Sequence, residues 1–538
     1  MRAWLLTRSL FAILVAANLI AQDQDNATLV PPVRLIRLPP RIGVIGEAQV
    51  ALDQAIAMSL ANNNDIDGSR IDREIANINL AGSFGVWDPL ASATSAFLKQ
   101  INPIASALGG SATGAVLTRT WQTDPTLSGS TPWLGGSYRV DFNNQRTYTN
   151  NTFVTLNPQY PSSLNFQYIQ PLFRGFRYDA NRRSIDVARK NREISDVQFR
   201  LRVMQIVQQT EQAYWELVYA YNNLQVQVEA VEIGRQQDES NRRQQQQGLL
   251  APIDVVAAQT QLATFESAAY NAQTALTRAE NNLKTLILAD RNAPQWSAAL
   301  VPVTPPDLTP PLTPVQDAVT SALANRPERM QSQLSADINT KDLQLAREAL
   351  KPQVDLVAGY TRTGLAGIRV PTNPFPGFPN TVPPALVGSY GQSLSNLLAG
   401  DFPTTQVQLR ISMPIRNRAA EAGLARSIAD SRRLRNQQEQ IEQTIEAEVR
   451  NAMQAMQSAQ LRLDATRLQR RSAEEQYNSE QRQFRAGTST LFLVQQRQNA
   501  MITARSQERR AEADLGSAVA AYEMATGSIL TAHNVNAQ

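Results

Sequence analysis

The residue types that carry most enzymatic chemistry are nearly missing from this sequence of 538 residues. It contains no cysteine and a single histidine, His533, close to the C-terminus. This composition excludes disulfide frameworks, cysteine-ligated metal sites and thiol nucleophiles, and it excludes any catalytic triad that needs a histidine from the body of the chain. We therefore predict no catalytic residue, no cofactor and no bound metal, and we expect that the protein is not an enzyme.

The remaining candidates for chemistry are weak. The carboxylate pairs Glu474 with Glu475 and Glu446 with Glu448 fall within polar helical surface, where solvated side chains are the common case. The stretch 364–367 lacks the lysine and the following helical pattern of a phosphate-binding loop. Arginine exceeds lysine by 46 to 5, but it is spread among Gln and Glu, and the net charge is only +4. We expect no nucleic-acid partner.

The N-terminus indicates export. Two arginines precede an apolar stretch from Ser9 to Ile20, which is typical of a signal peptide covering residues 1–21, followed by an extended segment over 22–45. No later stretch reaches 18 consecutive apolar residues. An exported chain without a spanning helix is either soluble or a β-barrel component.

The sequence is an internal duplication. Residues 55–62 align with residues 318–325 at an offset of 263, and the glycines Gly248 and Gly487 follow equivalent long helical runs. A repeat of this length is a duplicated domain rather than a solenoid unit. We predict a first repeat over 46–293, a proline-rich linker over 294–314, a second repeat over 315–530 and a tail over 531–538.

Each repeat contains one very long helix. Proline is absent from 181–247 and from 419–484, and apolar or small residues recur at steps of three and four, which is typical of coiled-coil packing. About 65 residues of helix span roughly 100 Å, too long for a compact globule. The first stripe runs through Val203, Ile206, Thr210, Ala213, Leu217, Ala220, Leu224, Val228 and Val231, and the second through Ile441, Ile445, Val449, Ala452, Met456, Ala459 and Leu463.

Both long helices are predicted to end at the tip of an antiparallel helical hairpin. Glycine suits a left-handed helix C-cap, and proline or Ser/Thr suits the start of the next helix. Gly248 is followed by Pro252 in the first repeat, and Gly487 by Thr488 and Ser489 in the second.

Alternating segments indicate strands with one apolar and one polar face. Val354, Leu356, Ala358 and Tyr360 alternate with polar residues, with Val357 as an exception, and Val407, Leu409, Ile411 and Met413 alternate with Gln406, Gln408, Arg410 and Ser412. A wall between lipid and water requires this pattern, although a soluble sandwich would show it too. We predict four strands, two in each repeat, that lead into the long helices at Pro171 and Pro414. The stretches 99–162 and 364–403 are predicted to be irregular loops.

Four strands cannot close a barrel alone, and open edges are excluded from hydrocarbon. Several copies must then share one barrel: two would give eight strands, whose interior side chains fill, and three would give twelve, wide enough for a conduit. In such a wall the residues predicted to face the lumen are Gln353, Asp355, Gln406, Gln408 and Arg410.

At this point the sequence resembles the TolC-like outer-membrane efflux channels. The resemblance covers roughly residues 45–530 and is carried by segments that occur in order in both halves: "LKPQVDLVAGY" from Leu350, "QPLFRG" from Gln170, "MPIRN" from Met413, "GLLAPIDVVAAQTQL" from Gly248 and "FRAGTSTLFLVQQRQ" from Phe484. It implies an α+β membrane protein: a homotrimer with a twelve-stranded barrel in the lipid of the outer membrane, continued through the periplasm by a long helical coiled-coil barrel.

The resemblance also implies partners and a gate. A periplasmic adaptor protein would meet the helical tips, at Arg243, Gly248, Leu249, Pro252, Arg485, Gly487, Thr488 and Ser489, and an inner-membrane pump would supply energy. In well-known family members, carboxylates six and nine positions after the second tip glycine narrow the periplasmic mouth. Here those positions are Leu493 and Gln496, so the acidic ring is absent. At this constriction Phe492 and Leu493 suggest gating by an apolar surface, or they simply pack within the tip.

Three functions fit the sequence. The first is a passive outer-membrane conduit for small molecules, and the second uses the same conduit to secrete polypeptides. The third, from another class, is an exported coiled-coil scaffold or adhesion protein with a β-rich head and no pore.

Overall fold

The computed structural model describes residues 38–105, 109–111, 113–305, 313–371 and 382–535. The predicted signal peptide and most of the segment 22–45 lie outside these ranges. The elements of the first half are, in chain order, β1 (Gly46–Val50), α1 (Leu52–Asn62), α2 (Asn64–Ser83), β2 (Leu90–Pro103), β3 (Ala115–Ser130), β4 (Ser137–Thr149), β5 (Leu156–Pro171), α3 (Ala180–Gln246) and α4 (Pro252–Ile287). Those of the second half are β6 (Ala298–Pro302), α5 (Val315–Asn325), α6 (Pro327–Ala349), β7 (Gln353–Arg369), α7 (Tyr390–Ala399), β8 (Pro403–Ser412), α8 (Arg418–Arg485), α9 (Leu491–Thr526) and α10 (Ile529–Ala532).

The two halves repeat each other closely in their helices. α1 and α5 have 11 residues each and begin 263 positions apart, as the aligned segments predict. α3 and α8 have 67 and 68 residues, and α4 and α9 have 36 each. Each repeat also has two shorter helices before its first strand of the main sheet, α1 and α2 in the first repeat and α5 and α6 in the second.

The long helices follow directly from the sequence. Asp179 caps the start of α3, where its side chain accepts a hydrogen bond from the backbone N–H of Arg182 at 2.8 Å. No proline interrupts either helix, and the predicted stripes are buried: Ile206 and Leu217 of α3 and Val449 of α8 have no exposed surface. The predicted bounds of both helices are confirmed to within about a residue.

The main core lies where α3 packs against α4, α9 and the short β1–β6 pair. Tyr214 and Trp215 of α3 are buried there with Leu283 and Ile287 of α4. The hydroxyl of Tyr214 donates to the backbone carbonyl of Val50 and accepts from the N–H of Thr304, which ties the linker to the helices. Within the predicted linker, Pro294–Ser297 forms a 3-10 turn and Ala298–Pro302 forms β6, which pairs in parallel with β1. Residues 306–312 of the linker lie outside the described ranges.

The main sheet differs from the prediction because it has six strands instead of four. Its order is β2-β3-β4-β5-β7-β8, and each neighbouring pair is antiparallel. The two additional strands, β3 and β4, come from the stretch 99–162, which we predicted to be an irregular loop.

The error has a physical reason. The Gly, Asn, Ser and Thr content of this stretch suggested turns, but Thr suits strands, and β4 alternates Tyr138, Val140 and Phe142 with polar residues. The stretch 364–403 was also misjudged, because β7 continues to Arg369 and a short helix, α7, follows.

No helix in the described part of the chain combines the length and the apolar character needed to cross a membrane.

Candidate functional site

The sheet separates an apolar face from a polar face across all six strands. Residues paired in register lie on the same face, so Phe97, Trp121, Phe166, Tyr360 and Val407 share one face. Their exposed fractions are large, from 38% for Tyr360 to 73% for Val407. The rings of Phe97 and Trp121 lie 4.7 Å apart, which extends the apolar face to the edge strand β2. Such a face suits contact with lipid rather than water.

The five predicted lumen residues lie together on the opposite face. The β7–β8 register places Asp355 directly opposite Arg410, with Gln353 and Gln408 one position to either side along that face. The amide of Gln353 donates to both carboxylate oxygens of Asp355 at 2.9 Å. Gln406 continues the row opposite Gly359. The polar alternation predicted from sequence therefore places these side chains on one surface.

The additional hairpin contributes polar groups to the same face that the sequence did not lead us to name. On β4, Asp141 accepts hydrogen bonds from Arg139 at 2.8 and 2.9 Å and from the Thr126 hydroxyl of β3 at 2.8 Å. Asn165 of β5 also donates to it. The period-two pattern of 137–149 was the available signal, and the polar composition of the surrounding stretch obscured it.

The two strand-to-helix turns differ in environment. Pro171 ends β5 opposite Asp355 and is buried, and the next residue, Leu172, donates its N–H to the carbonyl of Val354 at 2.7 Å. Pro414 follows the end of β8 and is exposed, next to the fully exposed Ile415. The sheet is therefore joined to α3 through a packed turn and to α8 through an open one.

Both helical tips use the same backbone motif. At the first tip Gly248 has φ of +75°, its N–H donates to Gln245 at 2.9 Å, and Leu249 donates to Gln244 at 2.9 Å. At the second tip Gly487 has φ of +78° and makes the equivalent bond to Phe484 at 3.0 Å. Two bonds of this pattern around a left-handed glycine form a Schellman cap. The predicted reversal at both glycines is confirmed.

The following helices begin as predicted. Pro252 occupies the first turn of α4, and the Thr490 side chain caps α9 by accepting from the N–H of Leu493 at 3.4 Å. The predicted adaptor-contacting residues lie at these reversals. All but one are exposed in the single chain: Arg243, Gly248, Leu249, Pro252, Arg485, Gly487 and Thr488. Ser489 is half-buried and hydrogen-bonds to Glu480.

The residues of the predicted constriction project from the first turns of α9. Phe492 is 72% exposed and Leu493 is 37% exposed, and Gln496 is exposed one turn further on. Their neighbours Leu491 and Val494 are buried instead and pack inside the hairpin. Within one chain, the tip is therefore packed by Leu491 and Val494, and Phe492 and Leu493 remain available to other molecules.

Arginine–glutamate pairs connect the two hairpins. Arg505 of α9 donates to Glu474 of α8 and to Glu229 of α3, both at 2.8 Å. Arg510 of α9 pairs with Glu216 of α3 at 2.7 Å. Some of the abundant arginines thus form pairs between helices, and they hold the second hairpin against the first.

The single histidine takes part in a buried charge cluster that we did not predict. The His533 Nε2 lies 2.8 Å from a carboxylate oxygen of Glu211 on α3 and 3.7 Å from one of Glu523 on α9. Burial and the nearby Glu211 carboxylate raise the pKa of Glu523 to about 7. The hydrogen bond to Glu211 raises the pKa of His533.

These three donor atoms lie within 4.8 Å of one another, a spacing that also suits a cation. The short contact between His533 and Glu211 accounts for the arrangement as an ion pair. The cluster ties the C-terminal residues to α3 and α9. The rarity of histidine in this chain was the only signal in the sequence that could have pointed to it.

Comparison with known proteins identifies the class. The model of the outer membrane efflux protein family matches residues 134–287 and 318–528, that is 154 and 211 of the 538 residues. The chain belongs to this family. The resemblance inferred from the sequence is confirmed, and the function is that of an outer-membrane efflux channel. Members of the family are channels rather than enzymes. No curated protein matches the chain.

Solved structures with the same fold are channels as well. The chain is 16% identical to the CmeC outer membrane channel of Campylobacter jejuni, with a TM-score of 0.63, covering 89% of this chain and 85% of that one. It is 16% identical to CusC, with a TM-score of 0.64 and coverage of 94% and 99%. The open-state MtrE channel of Neisseria gonorrhoeae is 14% identical, with a TM-score of 0.59 and coverage of 89% for both chains. These similarities confirm the predicted fold class, helices with an antiparallel sheet.

Proposed function

We propose that three copies of this chain form a passive conduit that lies in the outer membrane, extends into the periplasm and catalyses no reaction. The observation that carries the proposal is the two-faced sheet. Val407 is 73% exposed on the apolar face, and Asp355 and Arg410 share the polar face. A single chain leaves this sheet open, so copies must combine before its edges can enter lipid.

Exposed apolar residues on α8 support the same assembly. Leu461 and Leu468 are 63% and 66% exposed, and α8 buries far fewer residues than its counterpart α3. An apolar strip of this kind on a long helix is suited to packing against the next copy. Three copies would surround the central path with their long hairpins.

The conduit test measures pore formation and assembly together. The purified chain, extracted in detergent, is expected to run as a trimer and to produce discrete conductance steps in planar lipid bilayers. The scaffold alternative predicts a protein that stays in solution without detergent and conducts no ions. That outcome would overturn the proposal.

The tips are the proposed docking site for a periplasmic adaptor, which in turn connects to an inner-membrane pump. Leu249 is 73% exposed and Arg243, Arg485 and Thr488 are exposed beside the two Schellman caps. A photo-crosslinking amino acid at Leu249 should capture a periplasmic adaptor protein in cells that express this chain. The matched control is Tyr270, which is also exposed on α4 but lies roughly 27 Å along the helix from its start. Equal capture at both positions would place the contact elsewhere.

The cargo of the conduit is proposed to be small molecules. Secretion of polypeptides uses the same architecture and remains the second candidate. Growth protection against toxic compounds and export of a polypeptide encoded nearby, each measured in a deletion strain, distinguish the two.

A further inference from the structure

The edges of the six-stranded sheet are the most conspicuous unpaired surface of the described chain. β2 and β8 form the two edges, and every residue of both strands is exposed. A strand edge presents free N–H and C=O groups, which pair readily with another strand and cannot remain unpaired in hydrocarbon. The occupant of each edge must therefore be another strand of suitable direction and length.

A second copy of this chain supplies such a strand. β2 starts at the helical end of the sheet, since Leu90 pairs with Ser128 near the β3–β4 turn, and β8 ends there at Ser412. The two edges thus run in opposite directions. β2 of one copy can pair with β8 of the next in the antiparallel manner of every other neighbour in the sheet.

The register also fixes the offset between the two edges. The register leads from Leu90 across the sheet to Gln406, through Ser128, Arg139, Gln167 and Gly359. When β8 pairs along its whole length with β2 of the next copy and their helical ends are aligned, Leu90 of that copy lies opposite Ser412. Ser412 lies six residues beyond Gln406, so the pairing slips by six residues from one copy to the next. Because six is an even number of residues, this slip keeps the apolar residues of β8 and of the neighbouring β2 on the same face of the wall.

We propose that the trimer closes an 18-stranded barrel, with β2 of each copy paired to β8 of the next, instead of the twelve-stranded barrel predicted above. Three copies of six strands give this number, and the copy number rests on the proposed function. A slip of six residues per copy gives the three-copy barrel a shear number of about 18. With usual strand spacings, this shear number corresponds to strands tilted by about 35° from the barrel axis. Barrels have tilts close to this value.

The lumen of this barrel is wider than a twelve-stranded one. Barrel diameter grows roughly in proportion to strand number, so the diameter increases about 1.5-fold, and barrels of 16–18 strands hold an open aqueous channel. The β3–β4 hairpin inserts a third of the wall and lines it with Arg139 and Asp141. The narrowest point of the path then falls at the helical tips rather than in the membrane.

Disulfide trapping tests the joint between copies, because the chain has no cysteine of its own. The proposed pairing places Ala93 opposite Leu409 of the next copy. The double variant Ala93→Cys with Leu409→Cys should give covalent dimers and trimers after oxidation, at least ten times more than either single variant. The pairs Ala91→Cys with Leu409→Cys and Ala93→Cys with Ile411→Cys are offset by two residues and serve as register controls. Stronger cross-linking in a register control than in the first pair would overturn the six-residue slip.

The strand count is tested directly by electron cryomicroscopy of trimers in lipid nanodiscs. Eighteen strands in one closed wall are expected. The double variant Val140→Cys with Phe166→Cys, whose residues are paired in β4 and β5, should cross-link within a single chain of the same trimers. A twelve-stranded wall with the β3–β4 hairpin outside it would overturn the inference and leave the conduit intact. Particles that contain no barrel, or that conduct no ions, would count against the proposed function itself.

Discussion

Gly516 of α9 lies directly against the indole ring of Trp215 on α3. A Cβ atom placed on Gly516 would come within 2.5 Å of the ring, and Trp215 is only 1% exposed. The absence of a side chain at this position is what allows the two hairpins to approach each other around the largest buried residue of the core.

The first prediction follows from this contact. Gly516→Ala should lower the free energy of unfolding by about 1–3 kcal/mol, because the added methyl group would overlap the ring of a buried tryptophan. Gly423→Ala on α8 is the matched control, since nothing lies within 4 Å of its added Cβ. There alanine should be neutral or stabilising by up to about 1 kcal/mol. Thermal unfolding in detergent measures both, and equal effects would show that the indole contact does not limit packing.

The second prediction concerns the constriction. Replacing Phe492 and Leu493 together by serine should raise the conductance of purified trimers in planar bilayers, because polar side chains hold water where apolar ones exclude it. Leu249→Ser is the control, as Leu249 on the first tip is about as exposed as Phe492, 73% against 72%, but is not predicted to line the path. Unchanged conductance in the double variant would place the narrowest point elsewhere.

The third prediction is a pH dependence of stability that arises from Glu523. Burial raises its pKa to about 7 from an ordinary value of 4.5, so the folded chain binds this proton more tightly than the unfolded chain. The stabilising effect is complete below pH 4.5 and is lost as the pH rises through about 7. It amounts to about 3 kcal/mol at most.

Unfolding measured between pH 4.5 and pH 8 should therefore show falling stability in the native chain and a weaker slope in Glu523→Gln. His533, whose pKa is also raised, adds a further loss above pH 6.5 in both proteins. Identical slopes for the two proteins would mean that Glu523 ionises normally.

The fourth prediction concerns Lys284 of α4. It is buried, and its ammonium group donates to the carbonyls of Trp296 and Ala298 at 3.1 and 2.6 Å, while Glu280 lies 3.9 Å away. Lys284→Met should destabilise the chain by about 2–4 kcal/mol, because two linker carbonyls lose their donor and the Glu280 carboxylate loses a counter-charge.

Lys351→Met is the control for this change. Lys351 pairs with Glu348 at 2.6 Å in a partly exposed position, and such pairs contribute little. Limited proteolysis between residues 290 and 314 should accelerate only in the Lys284 variant. Equal rates in both variants would show that this lysine does not anchor the linker.

The sequence predicted the features that depend on local patterns. The 3.5-residue stripe through Ile206 and Leu217 and the glycines Gly248 and Gly487 were enough to set both hairpins, because helix length and caps are decided by residues close in sequence. The polar face through Asp355 and Arg410 followed from a period of two in the same way.

Features that depend on distant residues could not be predicted. The strands β3 and β4 are stable because they pair with β2 and β5, and their Thr-rich and Asn-rich sequences resemble loops when read alone. His533 contacts Glu523 and also Glu211, which lies more than 300 positions earlier in the sequence. No local pattern contains that information.

The cluster in which α1 and α10 meet has a practical consequence for handling this molecule. Ile56 from near the start of the described chain and Ile529 from near its end are both buried against Phe199 and Val203, about a third of the way along α3. A fluorophore attached at the exposed Asn534, five residues after Ile529, would lie close to this cluster. A label there leaves the six-stranded sheet and the two helical tips unobstructed, so binding and conductance can be followed in the same labelled protein.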